Sequence, residues 1–408
     1  MLHVSRIVRL SALATDYDKE SVELHAQLHG KLGVRSKVSL ASKHDLSLAY
    51  TPGVGQVCVE IARVPERVFD LTIKHNTVAV VSDGSAILGL GNLGAEAAIP
   101  VMEGKAVLFK EFAGVDAFPI CLATQDVDEI VAIVRAIAPV FGGINLEDIS
   151  APRCFEVEAR LQDLGIPVFH DDQHGTAIVT VAALLNALKV TRKNLAECTI
   201  VFSGSGASAI AAAKLIQSFG KLGHMPEAAD ILLCDSKGIV GRARTDLNPY
   251  KREIAETTNR RGMKGSLADA LRGADVFIGL SQPNIVTEEM VRTMNPQPIV
   301  FAMANPVPEI MPHLARAAGA VVVATGRSDF PNQINNVLAF PGVFRGALDA
   351  GARVINEEMK VAAAQTLASI VIEPVPERIL PDPLDKSVGF RIGEAVAAAA
   401  RQSGVCRN

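Results

Sequence analysis

A glycine-rich turn between a strand and a helix is the feature of this sequence that most constrains its fold. The turn lies between an apolar run at residues 199–202 and a helical stretch at residues 207–219, and it comprises Gly204, Ser205, Gly206, Ala207, Ser208 and Ala209. Strand, turn and helix in this order open a βαβ unit, whose helix N-terminus presents backbone N–H groups to a pyrophosphate. Ala at the third glycine position is an allowed variant. The next apolar run ends at Asp235, where a carboxylate would meet ribose hydroxyls. The pattern favours a dinucleotide site over an ordinary α/β turn.

Short apolar runs alternate with helical stretches along most of the chain. Before the glycine turn the runs lie at residues 77–81, 106–109, 144–146 and 167–169, with a helix at 127–140. After the turn they continue at residues 231–234, 274–279, 298–302 and 320–324. Such alternation is typical of mostly parallel sheets covered by helices, and the spacing of the later runs fits a doubly wound sheet.

The sequence thus predicts an α/β protein with two domains. An N-terminal α/β domain for substrate and metal is expected over residues 21–174, and a Rossmann-type dinucleotide-binding domain over residues 175–408. A long apolar helix at 175–190 connects them, and residues after about 345 are expected to be helical, with a proline-rich break at 373–383. Residues 1–20 form an N-terminal extension to which no role is assigned.

Composition argues against several classes of partner. Lys and Arg number 40 against 44 Asp and Glu, so the net charge is −4, and no broadly basic face for nucleic acid is expected. No apolar run approaches the ~18 residues of a membrane helix. The six cysteines lack metal-type spacing, which favours free thiols in a reducing compartment. We therefore expect no nucleic-acid or membrane partner and a cytoplasmic location.

A second glycine motif occurs at Gly89, Gly91 and Gly94. Pro100 follows closely, and an apolar run expected to form a strand begins at residue 106. Because Pro is unfavourable inside a helix, we expect no long helix after this motif. The motif is predicted to form a tight loop rather than a dinucleotide site.

Paired acids follow two of the strand-like runs, Glu147 with Asp148 and Asp171 with Asp172. Carboxylates at strand ends face the ligand crevice of an α/β domain, and oxygen ligands suit Mg²⁺ or Mn²⁺. Acids in this position also cap helices, so the pattern alone leaves both interpretations open. The neighbouring His170 lies four residues before a second histidine, but the pair does not match a zinc motif.

Three further polar residues are candidates for chemistry. Lys105 is expected at the mouth of the apolar run 106–109, and a desolvated Lys can act as a base. Tyr50 precedes a Thr-Pro-Gly break and is a candidate acid, although packing is the commoner role. Asn305 follows the run 298–302, where it would face a cofactor crevice or cap a turn.

Taken together, these residues resemble the malic enzyme family in its short bacterial form. The resemblance extends from about residue 21 to about residue 400. Its motifs are SLAYTPGVGQVC (47–58), VVSDGSAILGLGNLG (80–94), MEGKAVLFKEFAGVDAFPI (102–120), INLEDISAPRCFEVE (144–158), PVFHDDQHGTA (167–177), MANPVPE (303–309) and INNVLAFPGVFRGALD (334–349).

The resemblance implies oxidation of L-malate by NAD⁺ or NADP⁺ and its decarboxylation to pyruvate, with Mg²⁺ or Mn²⁺. It implies that Glu147, Asp148 and Asp172 are metal ligands. It also implies that Lys105 is the base that takes the C2 hydroxyl proton, with Asp171 beside it.

The remaining roles follow from the same resemblance. Tyr50 matches the acid that protonates the enol of pyruvate, and Asn305 and Asn336 match amides that hold the substrate carboxylates. The glycine turn at 204–209 with Asp235 matches the dinucleotide site, next to which Asn305 also lies. An Arg that grips substrate in the animal and plant branch is replaced here by Ala86. The family further implies a homodimer or a larger homo-oligomer.

Two questions stay open at this level. Asp235 favours NAD because a carboxylate repels a 2′-phosphate, so NAD is the expected cofactor; NADP is the alternative, since Lys237, Arg242 and Arg244 lie just downstream and could pair with that phosphate. The alternatives to malate decarboxylation are a metal-independent amino-acid dehydrogenase of the glutamate type and a regulatory protein that binds nucleotide without turnover. The carboxylate set disfavours both, since neither needs a metal.

Overall fold

The structure is a computed structural model that describes residues 16–407. Its first sheet has four parallel strands in the order β2-β1-β3-β4. These are β1 (Thr77–Ser82), β2 (Asp116–Cys121), β3 (Gly143–Leu146) and β4 (Val168–His170). Every residue of β1 and β3 is buried, as the continuous apolar runs of an interior parallel strand require.

The second sheet has six strands in the order β10-β9-β8-β5-β6-β7. They are β5 (Thr199–Ser203), β6 (Asp230–Asp235), β7 (Gly238–Ile239), β8 (Val276–Gly279), β9 (Ile299–Ala302) and β10 (Val322–Thr325). All pairs are parallel except β6 with β7. The chain runs outward from β5 in one direction and then returns to build β8 to β10 on its other side, so the predicted doubly wound sheet is confirmed.

Sixteen α-helices are present in the described part of the chain. The first seven are α1 (Asp16–Leu28), α2 (Lys43–Ala49), α3 (Val54–Arg63), α4 (Val68–Leu71), α5 (Ala95–Ala113), α6 (Val127–Ile137) and α7 (Arg153–Leu161). The others are α8 (Asp171–Thr191), α9 (Ala207–Lys221), α10 (Pro249–Ala255), α11 (Leu267–Leu271), α12 (Glu288–Arg292), α13 (Pro312–Ala317), α14 (Phe340–Asp349), α15 (Glu357–Ile370) and α16 (Ser387–Gln402). The helical C-terminal region with its break after residue 370 agrees with the prediction.

Helix α8 lies in the core that links the two sheets. Its buried side chains belong to one cluster with residues from β1, β5 and α14. Of the described helices, α8 alone has the length and apolarity to cross a membrane, but 72% of the relevant window is buried within the protein. Burial on this scale is typical of a core helix, and it explains why α8 is apolar on all sides rather than on one face.

The strand predicted at residues 106–109 is wrong, because these residues lie in the 19-residue helix α5. Buried side chains recur along it every three or four residues, at Ala98, Met102, Ala106, Phe109 and Ala113, which is the period of a helix face rather than of a strand. Helix α5 follows the second glycine motif directly and contains Pro100, so the expectation that no long helix would follow was also wrong. The turn itself is present, with Gly89, Gly91 and Gly94 all at positive φ.

Helix α8 starts at Asp171, four residues before the predicted start. Asp171 and Asp172 therefore occupy its first turn instead of the end of β4. Acidic residues are favourable there, because the helix dipole places partial positive charge at the N-terminus.

The C-terminal helices α14 and α16 approach each other through glycines. A Cβ atom on Gly342 would lie 2.6 Å from the carbonyl oxygen of Gly389, and one on Gly346 would collide with the carbonyl oxygen of Gly393 and with Val396. The two backbones therefore touch at these points, which any larger residue would separate.

Gly346→Ala should lower the thermal unfolding midpoint, because overpacking a close contact costs about 1–3 kcal/mol. This cost exceeds the gain of about 1 kcal/mol that Ala brings to a helix interior. Gly104→Ala in α5 is the matched control, since its Cβ would meet only the Lys31 side chain, 3.4 Å from Nζ. Differential scanning calorimetry of both variants checks this. A midpoint for Gly346→Ala at or above that of the unsubstituted protein would contradict the account.

Candidate active site

A buried ion-pair cluster is centred on Lys105, which projects from α5 rather than from the strand expected for it. Its Nζ lies 2.6 Å from Oδ2 of Asp171 and 2.9 Å from Oε1 of Glu147. Glu147 directly follows β3, and Asp171 starts α8, so the contacts connect three elements of the N-terminal half. Nζ also lies 4.2 Å from the ring centroid of Phe340 at the start of α14, which adds a cation–π contact.

The electrostatics of this cluster keep Lys105 protonated. Burial by itself would lower the pKa of Lys105, but the carboxylates of Asp171 and Glu147 outweigh it and raise that pKa above its usual value. Burial raises the pKa of Asp171 to about 7, against the opposing charge of Lys105. The proton therefore stays on Lys105, whose Nζ lies 2.6 Å from Oδ2 of Asp171.

Three carboxylates converge beside Lys105, those of Glu147, Asp148 and Asp172. One oxygen from each lies within 4.8 Å of the others. Asp172 accepts a hydrogen bond of 2.8 Å from the backbone N–H of Asp148, whose φ of 53° is in the left-handed region. Asp tolerates this conformation better than most residues, and such backbone geometry is concentrated at functional sites.

The charge of the cluster fits a divalent cation. Four carboxylates, those of Glu147, Asp148, Asp171 and Asp172, face one ammonium group, so the formal charge is 1 − 4 = −3. Burial and the neighbouring acids raise the pKa of Glu147 to about 7 and that of Asp148 to about 8. Oδ2 of Asp148 is buried without a hydrogen-bond partner. An all-oxygen donor set of this kind suits Mg²⁺ or Mn²⁺.

A cavity of about 660 Å³ opens onto this cluster. Its wall includes Lys105, the three converging carboxylates, Asn305 and Asn336. Asn336 belongs to a short 3-10 helix before α14, and its Nδ2 donates a 2.5 Å hydrogen bond to Oδ2 of Asp171. Asn305 and Asn336, the two amides expected to hold substrate, therefore line the same cavity as the three carboxylates.

A second cavity, of about 940 Å³, lies at the carboxyl end of β5 and β6. Gly204, Ser205 and Gly206 line it, as does Asp235 at the end of β6. Gly204 has a φ of +107°, and a Cβ there would lie 2.5 Å from the carbonyl oxygen of Leu280. Only glycine fits this turn, as the fingerprint requires.

The turn connects the two cavities. Ala207 and Ala209 belong to the first turn of α9, with Ala209 buried against the sheet. Ser208 lines the acidic cavity and donates a 2.8 Å hydrogen bond to the carbonyl oxygen of Asp172. Leu280 lines both cavities, so a ligand in one would be adjacent to a ligand in the other.

Of the predicted catalytic residues, Lys105 lines the acidic cavity, Asp171 lies behind it in contact with Lys105, and Tyr50 lines neither cavity. It follows α2, and 67% of its surface is exposed. Within the single chain, Lys105 and Asp171 therefore meet as predicted, whereas Tyr50 lies apart from them.

Two buried carboxylates that support the site were missed by the sequence analysis. Glu158 on α7 accepts hydrogen bonds from the backbone N–H of His170 at 3.0 Å and from Gln173 at 3.0 Å, and lies 3.1 Å from the His174 ring. Burial would raise the pKa of Glu158, but His174 and these donors outweigh it and hold that pKa at about 2. Glu158 thus fixes the first turn of α8, which carries Asp171 and Asp172.

Glu309 supports the other side of the site. It is fully buried and accepts the backbone N–H groups of Ser281 at 2.9 Å and of Ala304 at 3.0 Å. These two residues follow β8 and β9, so Glu309 holds together the loops from which Asn305 extends. Glu158 and Glu309 both lie in motifs that carry the family resemblance, and these motifs were the signal in the sequence that could have identified them.

His170 is a structural residue in this arrangement. It is fully buried, and burial lowers its pKa to about 4, which keeps the ring neutral. The metal-type group found among residues 16–407 contains carboxylates and no histidine.

Fold and site together define a dinucleotide-binding α/β enzyme with a carboxylate cation site. Comparison with known proteins identifies the family. The malic enzyme N-terminal domain family matches residues 29–162, and the malic enzyme NAD binding domain family matches residues 173–401. The chain therefore belongs to the malic enzyme family.

Individual relatives agree with this assignment. The chain is 56% identical to an NAD-dependent malic enzyme of Geobacillus stearothermophilus, over 93% of this chain and 78% of the relative. It is 48% identical to an NADP-dependent malic enzyme of Halomonas elongata, over 96% of each. The crystal structure of malic enzyme from Pyrococcus horikoshii superposes with a TM-score of 0.88 at 48% identity, covering 93% of this chain and 88% of that one.

Divalent cations should stabilise the protein through the three carboxylates. A ligand that binds only the folded state at a hundred times its Kd adds about 2.7 kcal/mol, so Mn²⁺ should raise the thermal midpoint and a chelator should reverse the rise. Asp148→Asn should abolish the Mn²⁺-dependent rise, while the exposed control Asp70→Asn should retain it. A full Mn²⁺ response in Asp148→Asn, measured by scanning calorimetry, would place the cation elsewhere.

Proposed function

We propose that this chain catalyses the oxidative decarboxylation of L-malate to pyruvate and CO₂ with reduction of NAD(P)⁺. The observation that carries the proposal is the junction of two cavities at Leu280. One contains the Lys105 cluster and the three carboxylates, and the other contains the glycine turn. This arrangement supports a metal-assisted substrate site next to a hydride acceptor site.

Glu147, Asp148 and Asp172 would hold the divalent cation. When bound, the cation polarises the C2 oxygen of the substrate and stabilises developing negative charge there, and the nicotinamide ring accepts a hydride. The excess of carboxylates over ammonium groups in the cluster favours a divalent cation at this place.

Lys105 and Asp171 would handle the C2 hydroxyl proton as a pair. Nζ faces the cavity, and Asp171 behind it, with a pKa near 7, takes up or returns a proton across 2.6 Å. The hydrogen bond from Asn336 orients Asp171 for this exchange. The proton thus leaves the substrate at Nζ and is stored on the carboxylate.

Asn305 and Asn336 would orient the substrate carboxylates. Both line the cavity, and a Cβ on Gly326 would lie 2.9 Å from Nδ2 of Asn305, so the glycine gives the amide room. With Ala86 in place of a gripping Arg, substrate binding depends on these amides and on the cation.

Tyr50 would act as the acid only where a second copy of the chain supplies it. Helices α2 and α3, on either side of Tyr50, contain no buried residue. Leu46, Leu48 and Val59 are at least half exposed there. Large exposed apolar patches mark interaction surfaces, so we infer a homodimer in which this segment packs on the partner and delivers Tyr50 to its cavity.

Residues 21–174 would form the substrate and metal domain and residues 175–408 the dinucleotide domain, each around one of the two sheets. A cytoplasmic location is supported by the cysteines, all six of which are free thiols. A metal-independent amino-acid dehydrogenase and a regulatory protein are not favoured, because the chain belongs to the malic enzyme family and carries an acidic cluster.

Lys105→Ala should abolish turnover of L-malate while retaining binding of Mn²⁺. The variant removes the proton acceptor but leaves all three ligand carboxylates in place, and it makes the cluster more negative. Loss of general acid–base catalysis typically lowers the rate by about 10²- to 10⁴-fold. Electron paramagnetic resonance counts bound Mn²⁺, and the pyruvate assay measures turnover. Normal turnover would remove Lys105 from the proposed role.

Mixing two inactive variants tests the delivery of Tyr50. In an equal mixture of Tyr50→Phe and Lys105→Ala chains, about half of the dimers are mixed after exchange, and each mixed dimer of C2 symmetry has one intact site of two. The mixture should therefore recover about a quarter of the unsubstituted activity. Refolded single variants serve as controls. If the mixture stays as inactive as its parents although subunit exchange is verified by mass spectrometry, Tyr50 does not act across the dimer.

A further inference from the structure

A buried carboxylate that the proposed mechanism does not use lies at the end of β1. Asp83 directly follows this strand, and its side chain is fully buried. Its Oδ2 accepts a 3.0 Å hydrogen bond from Nη2 of Arg153, the first residue of α7. Its Oδ1 accepts from the backbone N–H of Ser85 at 2.9 Å and from the hydroxyl of Ser85 at 2.5 Å. Because a buried charge is costly unless it is paired and hydrogen-bonded, Asp83 fixes the positions of both partners.

Ser85 extends this constraint to the loop that carries two of the cation ligands. A carboxylate paired with a guanidinium group only accepts hydrogen bonds, so the Ser85 hydroxyl donates its proton to Asp83 and its oxygen remains an acceptor. That oxygen accepts the backbone N–H of Ser150 at 2.9 Å. The backbone N–H of Ala86 donates to the carbonyl oxygen of Asp148 at 3.0 Å. The two hydrogen bonds thus hold the backbone from Asp148, which has left-handed φ, to Ser150.

The loop held in this way borders both cavities. Glu147 and Asp148 begin it and supply two of the three converging carboxylates. Residues 151–152 line the dinucleotide cavity. The ion pair between Arg153 and Asp83 fixes the far end of the loop, so the loop is anchored beyond its middle as well as within it.

The second glycine motif holds the same turn from its other side. Gly84 has a φ of +67°, and a Cβ there would lie 2.1 Å from the carbonyl oxygen of Gly94. The carbonyl oxygen of Gly84 accepts the backbone N–H groups of Leu93 at 3.1 Å and of Gly94 at 3.2 Å. Gly94 immediately precedes α5, which carries Lys105. The turn at residues 83–86 therefore contacts both the start of that helix and the cation loop.

We propose that Asp83, Ser85 and Arg153 form a cluster that positions two of the three cation ligands. None of the three lines the acidic cavity, so this Asp83 cluster acts through the loop at residues 147–152 and not by contact with substrate. A left-handed backbone is unfavourable for a residue with a side chain, and the cluster holds Asp148 in it so that its carboxylate stays beside the other two. The proposal rests on the proposed function, since it concerns the affinity of that site for its cation.

Titration of the full chain with Mn²⁺, followed by electron paramagnetic resonance of the free ion, gives the Kd and the number of ions bound per chain. Asp83→Asn should raise the Kd at least about tenfold, because residues that orient metal ligands typically contribute 10- to 100-fold to metal affinity. An amide cannot accept hydrogen bonds at both of its polar atoms, so one bond of the cluster is lost. The number of bound ions should stay unchanged. Partial unfolding would instead lower this number and leave the Kd of the folded chains as it was.

Ser85→Ala is a milder variant that keeps the test decisive if Asp83→Asn does not fold. It removes the acceptor for the backbone N–H of Ser150 without removing a charge. We expect it to raise the Kd for Mn²⁺ at least about fivefold, again through the orientation of the ligand loop.

Asp275→Asn is the matched control for removal of a buried charge. Asp275 is buried, lies 2.7 Å from Nζ of Lys193 and accepts the backbone N–H of Thr199 at 2.9 Å. These contacts resemble those of Asp83, but they lie at the amino ends of β5 and β8, away from the ligand loop. Asp275→Asn should lower the thermal unfolding midpoint and leave the Kd for Mn²⁺ unchanged.

The outcomes separate this proposal from the proposed function. A Kd within about twofold of the unsubstituted value in both Asp83→Asn and Ser85→Ala would overturn the positioning role. An equal rise of the Kd in Asp275→Asn would overturn it too, because any buried ion pair would then have the same effect. Failure of the unsubstituted chain to bind Mn²⁺ at all would instead contradict the proposed function.

Discussion

The buried pairing of Lys105 with Asp171 and Glu147 is the interaction on which the site depends. A charge taken out of water costs several kcal/mol in effect unless a partner compensates it, and here one ammonium holds two carboxylates from separate elements. Helix α5, the end of β3 and the first turn of α8 are therefore positioned by the same nitrogen. Removing Lys105 would leave both buried carboxylates without their ammonium partner.

The supporting contacts extend this constraint through the molecule. Glu158 holds the first turn of α8 from α7, and Asn336 binds Asp171 from the region before α14. Ser208, in the turn that opens the second sheet, donates to the carbonyl oxygen of Asp172. The acidic cluster and the dinucleotide turn are consequently parts of one connected network. A shift of α8 would alter the cation ligands and the glycine turn together.

Much of the fold was predictable from the sequence because its signals are local. The strand, glycine turn and helix at residues 199–221 are contiguous, and Asp235 ends the next strand as the fingerprint requires. The prediction of a strand at 106–109 was wrong, because a short apolar run is compatible with a buried helix as well as with a strand. Its place in α5 is decided by the burial of Ala98 and Met102, which extends the helical face toward its N-terminus.

The chemistry of the site was less accessible, because its contacts are long-range. Lys105 and Asp171 are 66 residues apart, and Asn336 is 165 residues from Asp171. The local sequence pattern identified each residue as a candidate, but it could not predict which of them come into contact. That expectation came from the family resemblance. Glu158 and Glu309 carry no local motif of their own, and their function in orienting backbone N–H groups becomes visible only in the fold. The hydrogen bonds that Asp235 accepts from Arg244 and Lys251 likewise form only in the folded chain.

The central claim is that one connected site couples hydride transfer from L-malate to its decarboxylation through a divalent cation. The most direct measurement follows reduced nicotinamide and pyruvate together, with L-malate, Mn²⁺ and either NADP⁺ or NAD⁺, and repeats the assay with excess chelator. The account predicts equal amounts of the two products and loss of both on chelation. Reduced nicotinamide formed without pyruvate, or turnover that persists without the cation, would contradict it.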